Sequence, residues 1–220
     1  MKRAALLLVF LIPSVLSVRA NAWTRASNQR IAKKAAALAP SDLRTMIEQF
    51  NTDYQAGLAR ATTSMELRAQ IQAETNAAIS AVHSRKPMSE LVEHLGVLAH
   101  LVAEANTPAR GDYEHYFERS MKKFPTVFYG LDMNFNVPRQ LDRTFARTAK
   151  FNPLIELEYE RAGSSEAFDD RSTAFGVASV CYSHAVSDLV NLYYYIWKEA
   201  GGDVRSATGL RRGNLLLDVH

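Results

Sequence analysis

The sequence contains a single cysteine, Cys181, among its 220 residues. A disulfide needs two cysteines, so no internal disulfide can stabilise this chain and its fold has to depend on a hydrophobic core. Apolar residues at helical spacing surround Cys181. This setting favours a buried, small hydrophobic side chain over a reactive thiol.

The sequence also lacks an apolar run long enough to cross a membrane as a helix. Its apolar N-terminal run, AALLLVFLIPSVLSV, is interrupted by Pro13, follows Met-Lys-Arg and precedes Ala-Asn-Ala. A positive start, a short apolar run and a small-residue cleavage site are typical of a secretory signal peptide. We therefore predict a signal peptide over residues 1–22 and a mature protein over 23–220 that is exported to a periplasm or secreted. No transmembrane segment is expected after cleavage.

The predicted mature protein has no excess of positive charge. The whole chain has 26 basic and 23 acidic residues. Lys2, Arg3 and Arg19 all precede the predicted cleavage site, so their removal leaves 23 basic residues against the same 23 acidic ones. Proteins that bind nucleic acid by neutralising phosphates usually carry a net basic surface. The composition therefore gives no strong nucleic-acid signal.

Sustained strand-like alternation is absent as well. Almost every segment repeats apolar residues at helical spacing, which predicts an all-α protein with one compact multi-helix domain. Ser41 is expected to cap the second helix, and proline and glycine are expected to end the helix that begins at Ser89. The predicted helices cover residues 28–39, 42–59, 65–84, 89–105, 137–161 and 175–201, with shorter helical segments within 112–128.

A histidine and a glutamate lie four residues apart, at His100 and Glu104, on an otherwise apolar predicted helix. Residues at this spacing share one helix face, so an imidazole nitrogen and a carboxylate oxygen can reach the same ion. Zinc accepts both kinds of donor. A solvated or hydrogen-bonded pair without a metal is the alternative interpretation.

The stretch LGVLAHLVAEANTPAR, which covers residues 95–110, together with the tryptophan at position 23, resembles the zinc-dependent phospholipase C family and the related single-strand-specific nucleases. The family motif has the form LGxxxHxxxDxxxPxH, and its mature N-terminal tryptophan is a zinc ligand. The matching positions are Leu95, Gly96, His100 and Pro108. The resemblance implies a multi-helix fold, zinc ions, and hydrolysis of phosphoesters such as phospholipids or nucleic acids.

Several family positions carry other residues in this chain. Glu104 stands where the family has aspartate, and Arg110 stands where it has a histidine. An arginine cannot ligate a cation, because the guanidinium offers only donors. Glu118 matches a family glutamate, but Glu114 replaces the histidine four residues before it, with His115 adjacent. The family's histidine after the tryptophan aligns with Asn28.

These matches imply a reduced metal site made of Trp23, His100, Glu104 and Glu118, with one zinc ion expected rather than three. Cleavage would free the α-amine of Trp23, which with its own carbonyl oxygen can form a five-membered chelate. Packing of the indole against the domain is the alternative role for Trp23. Arg110, Glu114 and His115 are accessory candidates.

Two functions are consistent with this pattern. In the first, the protein is an exported metal-dependent phosphoester hydrolase, in which a metal-activated water attacks phosphorus. In the second, it is an inactive helical binding or structural protein that holds no metal, because Arg110 and the glutamates replace the ions in a salt-bridge network.

A second pair with the same spacing, His184 and Asp188, is a weaker site candidate. On a helical wheel it lies with Ser187, Asn191 and Lys198, opposite an apolar face. This arrangement predicts an ordinary solvated helix face.

Overall fold

The protein is a helical bundle. Its computed structural model describes residues 23–62, 66–108, 113–207 and 215–217. The all-α prediction is confirmed, since eight α-helices account for most of the described residues. The only strand pairing within these ranges joins β1 (Thr126–Phe128) to β2 (Leu215–Leu217) in antiparallel register, with Val127 opposite Leu216. The helices are α1 (Arg25–Leu38), α2 (Ser41–Gln49), α3 (Asn51–Arg60), α4 (Leu67–His83), α5 (Met88–Ala105), α6 (Tyr113–Ser120), α7 (Val137–Ala162) and α8 (Thr173–Glu199).

Two predicted helical segments have a different structure. The single helix expected over 42–59 is divided at Phe50, whose backbone leaves the helical region with φ −106° and ψ 35°. Ser41 is the first residue of α2 and does not cap it. Between residues 121 and 128 the chain forms one 3₁₀ turn and then β1, because Pro125 supplies no backbone N–H and disfavours a helical conformation at Phe124.

Helix α5 lies at the centre of the bundle. Twelve of its 18 residues are buried, and it packs against α1, α3, α4 and α8. A helix that is apolar around most of its circumference needs neighbours on several sides. His100 is therefore buried among neighbouring helices, whereas Glu90 and Glu93 in the first half of α5 stay partly exposed.

Helices α3 and α5 cross at unusually close range through a pair of glycines. A Cβ atom placed on Gly96 would lie 2.1 Å from the Tyr54 carbonyl oxygen, and one on Gly57 would lie 2.0 Å from the Glu93 carbonyl oxygen. Both distances are far below van der Waals contact, so the two backbones touch where any side chain would separate them. Gly96, the glycine of the Leu-Gly pair, is thus required by packing.

Buried tyrosine hydroxyls join four helices beside this crossing. The hydroxyl of Tyr193 on α8 donates to the carbonyl of Leu95 on α5 over 2.9 Å, and it lies 2.7 Å from the hydroxyl of Tyr54 on α3. The Tyr54 hydroxyl also lies 3.3 Å from the carbonyl of Ala32 on α1. Burial raises the pKa of both tyrosines, so both stay neutral donors throughout the physiological range.

The polar stripe of α8 supports a neighbouring chain segment, so the prediction of a solvated face is wrong. The Ser183 hydroxyl accepts from the backbone N–H of Val127, and the Ser187 hydroxyl accepts from that of Tyr129. Asn191 donates to the Gly130 carbonyl one turn further along. Side chains four residues apart on a helix therefore satisfy backbone groups of β1 and of the two residues after it, as a neighbouring strand would.

The buried apolar side chains of the described residues form one contiguous core cluster. Cys181 belongs to it and is 2% exposed, as the sequence predicts, and burial raises the pKa of its thiol to about 12. Within the described ranges no helix combines the length and the apolar character that crossing a membrane would need.

Because Gly96 lies at the close crossing and Gly176 does not, a glycine-to-alanine substitution should have opposite effects on stability at these two positions. Gly96→Ala should lower the free energy of unfolding by at least about 2 kcal/mol, because its methyl group collides with the α3 backbone. Gly176→Ala is the matched control, since nothing lies within 4 Å of a Cβ there; it should raise stability by up to about 1 kcal/mol. Urea unfolding followed by circular dichroism measures both, and equal effects would contradict the close crossing.

Candidate functional site

Three residues that the resemblance aligns with metal-site positions surround one cavity. Trp23, Asn28 and His100 line an open cavity of about 200 Å³ between α1, α3 and the middle of α5. Gln55 and Leu58 of α3 form part of the opposite wall. The fold thus brings Trp23, just before α1, close to His100 in the middle of the sequence.

The start of α1 fixes the positions of Trp23 and Asn28. Thr24 caps the helix, since its hydroxyl accepts from the backbone N–H of Ser27 over 3.3 Å. Trp23 therefore lies immediately before the helix, where its indole is buried edge-on against Phe117 of α6. Asn28 lies one turn further and is buried beside α5. The indole packing expected as an alternative role of Trp23 is observed.

His100 is a buried, neutral imidazole held by Asn28. Its Nδ1 lies 3.0 Å from the Asn28 side-chain nitrogen, and burial lowers the pKa of the ring below its usual value. The Asn28 oxygen is buried without a hydrogen-bond partner in the described part of the chain. Rotating that amide by half a turn would let Nδ1–H donate to the oxygen, which is how a protein usually orients a ligating histidine. Ligation would then fall to Nε2.

Glu104 follows His100 by one turn on α5 and is partly buried. The described residues that line the cavity include His100 but not Glu104. The spacing of four residues gives the two side chains one helix face, and of the two His100 lines the cavity.

The acidic and histidine candidates of α6 lie away from this cavity. Glu118 and His115 are exposed, and Glu114 is partly buried with an oxygen 3.9 Å from His115 Nε2. The buried face of α6 is instead aromatic, so that Phe117, one position before Glu118, contacts Trp23. A shift of one residue turns a helical side chain by 100°, which directs Glu118 towards solvent.

Two predictions fall on residues that the structure does not describe. Arg110 belongs to the segment 109–112, and the signal peptide covers 1–22. Across the described ranges, no group of three or more histidine, cysteine, aspartate or glutamate side chains is arranged to hold a metal ion.

Asp188 is the centre of a second polar cluster and is buried, contrary to the solvated position expected from the sequence. Its carboxylate accepts hydrogen bonds from Gln140, Thr144 and Arg147 of α7, each over 2.8 Å. Asn106, the residue after α5, donates to the same carboxylate over 3.2 Å. The cluster therefore ties the end of α5 to α7 and α8.

His184 lies beside this cluster but takes no part in the ion pair between Asp188 and Arg147. Its ring stacks on Tyr129 with centroids 4.4 Å apart. Burial and the nearby Arg147 lower the pKa of His184 to about 4, partly offset by Asp188. The imidazole is therefore neutral at pH 7, and the charge of Asp188 is balanced by Arg147.

Sequence reasoning missed the partners of Asp188, although a signal for them exists. Gln140, Thr144 and Arg147 are spaced by four and three residues and share one face of α7. A polar face of this kind cannot be distinguished from a solvated one until the covering helix is known.

Comparisons with known proteins add no relative. No protein-family model matches the chain, and neither a curated protein nor a solved structure matches it. The description of the site therefore depends on the residues of this chain alone.

The Asp188 cluster predicts a large difference between two aspartate substitutions. Asp188→Ala should lower the free energy of unfolding by about 3 kcal/mol, because it leaves the Arg147 charge mostly buried and unpaired. Asp142→Ala removes an exposed ion pair with Arg68 and should cost less than about 1 kcal/mol. Chemical denaturation of both variants tests this, and a similar loss in each would exclude a structural role for the cluster.

Proposed function

We propose that the protein is an exported metal-dependent phosphoester hydrolase of the phospholipase C type with a reduced, single-ion site. The observation that supports this most is the shared cavity of Trp23, Asn28 and His100. Asn28 and His100 are 72 residues apart in the chain and in hydrogen-bond contact in the fold. Three of the positions aligned with family ligands, Trp23, Asn28 and His100, thus lie at one cavity, and this supports the proposal.

Four donors are proposed for one zinc ion, and of the residues that would supply them the described lining of the cavity includes Trp23 and His100. His100 is neutral because burial lowers its pKa, so it can bind a cation without first losing a proton. A free α-amine on Trp23 would add a second nitrogen, and its carbonyl oxygen a third donor. Glu104, one turn along α5, is the carboxylate proposed to complete the set. Nitrogen and oxygen donors of this kind are ordinary zinc ligands.

A zinc ion held there would supply Lewis-acid polarisation of a phosphoryl oxygen. The chain's own residues would orient and enclose the substrate. Asn28 holds the His100 ring, and the buried Trp23 indole closes the inner wall of the cavity. A volume of about 200 Å³ is below the usual range for drug-sized ligands, which favours a small phosphoester or a lipid headgroup as the bound part of the substrate.

A second candidate function is a helical binding protein of the same fold that holds no metal. The exposed position of Glu118 favours it, because this family-matched carboxylate is turned to solvent. In that case polar contacts around His100 and Glu104 take the place of the ion, with Arg110 proposed as the replacing charge.

Metal analysis of the processed protein, purified without chelators, tests the proposal. We expect about one equivalent of zinc, lost in His100→Ala and retained in His83→Ala, whose ring is exposed and lies 3.0 Å from the Glu199 carbonyl oxygen. An extra residue before Trp23 should also weaken zinc binding, because it removes the α-amine from the chelate. Phosphodiesterase activity should follow the zinc content of each variant.

The same measurement separates the two functions. A folded protein that binds no zinc at any of these positions, and whose behaviour is the same in His100→Ala and His83→Ala, would contradict the hydrolase and favour the binding protein.

A further inference from the structure

Helix α7 presents a continuous stripe of basic and apolar side chains to solvent. Its buried face contains Val137, Leu141, Ile155 and Tyr159. On a helical wheel with 100° per residue, six residues on the opposite side of the helix lie within an arc of about 60°. They are Arg139, Arg143, Lys150, Leu154, Leu157 and Arg161, all of them exposed.

The apolar members of the stripe are unusually accessible for leucines. Leu157 is 59% exposed and Leu154 is 39% exposed. Met133, which is 54% exposed, lies in the segment before the helix, and its neighbour Asp132 contacts both Arg139 and Arg143. Two exposed leucines therefore lie along a row of positive charges on α7, and an exposed methionine lies in the segment before it.

The acidic residues of α7 lie outside this arc. One side of the arc is followed by Asp142, Glu156 and Glu160, and the other side by Glu158. Within the described ranges the arginines of the stripe pair with Asp132, which is partly exposed and 3.4 Å from Arg143, and with Glu158, which is buried and 3.0 Å from Arg161. Ion pairs of exposed arginines with partly exposed carboxylates such as Asp132 contribute little energy and can be exchanged for other anions.

We propose that this stripe is a docking surface for a membrane that contains anionic lipids. Basic side chains attract the anionic headgroups, and exposed leucines and a methionine beside them can enter the boundary between headgroups and acyl chains. From Arg139 to Arg161 the helix is about 33 Å long, so it can lie along the bilayer surface with its buried face still packed on the protein. Nucleic acid would use the same charges but would gain little from the leucines. The surface is independent of the zinc site and of the proposed hydrolysis.

Vesicle binding tests the surface directly. The processed protein is mixed with phosphatidylcholine vesicles, with or without about 30% phosphatidylglycerol, at about 0.1 M salt, and the bound fraction is measured by sedimentation. We expect binding to the anionic vesicles only. The double change Arg143→Glu with Lys150→Glu should lower the partition coefficient at least about tenfold.

Two further variants identify what the surface recognises. Leu154→Ser with Leu157→Ser should lower the partition coefficient about threefold or more and leave its salt dependence unchanged. Arg44→Glu with Lys122→Glu makes the same change in net charge at exposed positions elsewhere and should stay within about twofold of the unaltered protein.

Three outcomes would overturn the proposal. They are equal binding to neutral and anionic vesicles, an equal loss in the Arg44 and Lys122 control, and unchanged binding after both leucines are replaced. The last result, combined with tight binding to an oligonucleotide, would assign the stripe to nucleic acid.

Discussion

The contact between the backbones of α3 and α5 constrains the rest of the bundle. Gly57 and Gly96 each lie where a Cβ would overlap a carbonyl oxygen of the other helix. No rotation of a side chain can relieve such an overlap, so the distance and the register of the two helices are fixed together. His100 lies one turn beyond Gly96, and its direction relative to α3 follows from that register. The wall of the cavity formed by Gln55 and Leu58 of α3 depends on the same contact.

Buried polar groups position the helices around this crossing in a chain with a single cysteine. Tyr193 and Tyr54 bond near the middle of α5, while Asp188 and Asn106 bond at its C-terminal end. Each such group would be costly to bury alone, and each has partners from other helices. Their hydrogen bonds therefore specify which helices are neighbours, whereas apolar burial supplies most of the stabilisation. The result is a rigid frame around α5, the helix that carries both His100 and Glu104.

Much of this fold could be predicted from hydrophobic periodicity. The long helices α5, α7 and α8 occur close to their expected positions, because each has a strong apolar face. The break at Phe50 was missed because α2 and α3 continue the same periodicity through it. The short strand β1 was missed because its stabilising partners lie more than 50 residues away, at Ser183 and Ser187.

The candidate site was predictable only in part, for a physical reason. Helical spacing identifies which residues share a face, but not which neighbour covers that face. The spacing placed His100 on a narrow polar stripe, and the fold adds the contact with Asn28. Helical spacing did not reveal that α7 covers the face of Asp188. It also could not show that Phe117, and not Glu118, contacts Trp23.

We propose that a zinc ion binds between Trp23 and His100. Anomalous X-ray scattering at the zinc edge, from crystals of the processed protein grown with zinc, tests this claim most directly. The account predicts a single strong peak in the cavity, between the Trp23 amine and the His100 ring. A cavity without a peak, or zinc found only at exposed side chains such as His115, would contradict it.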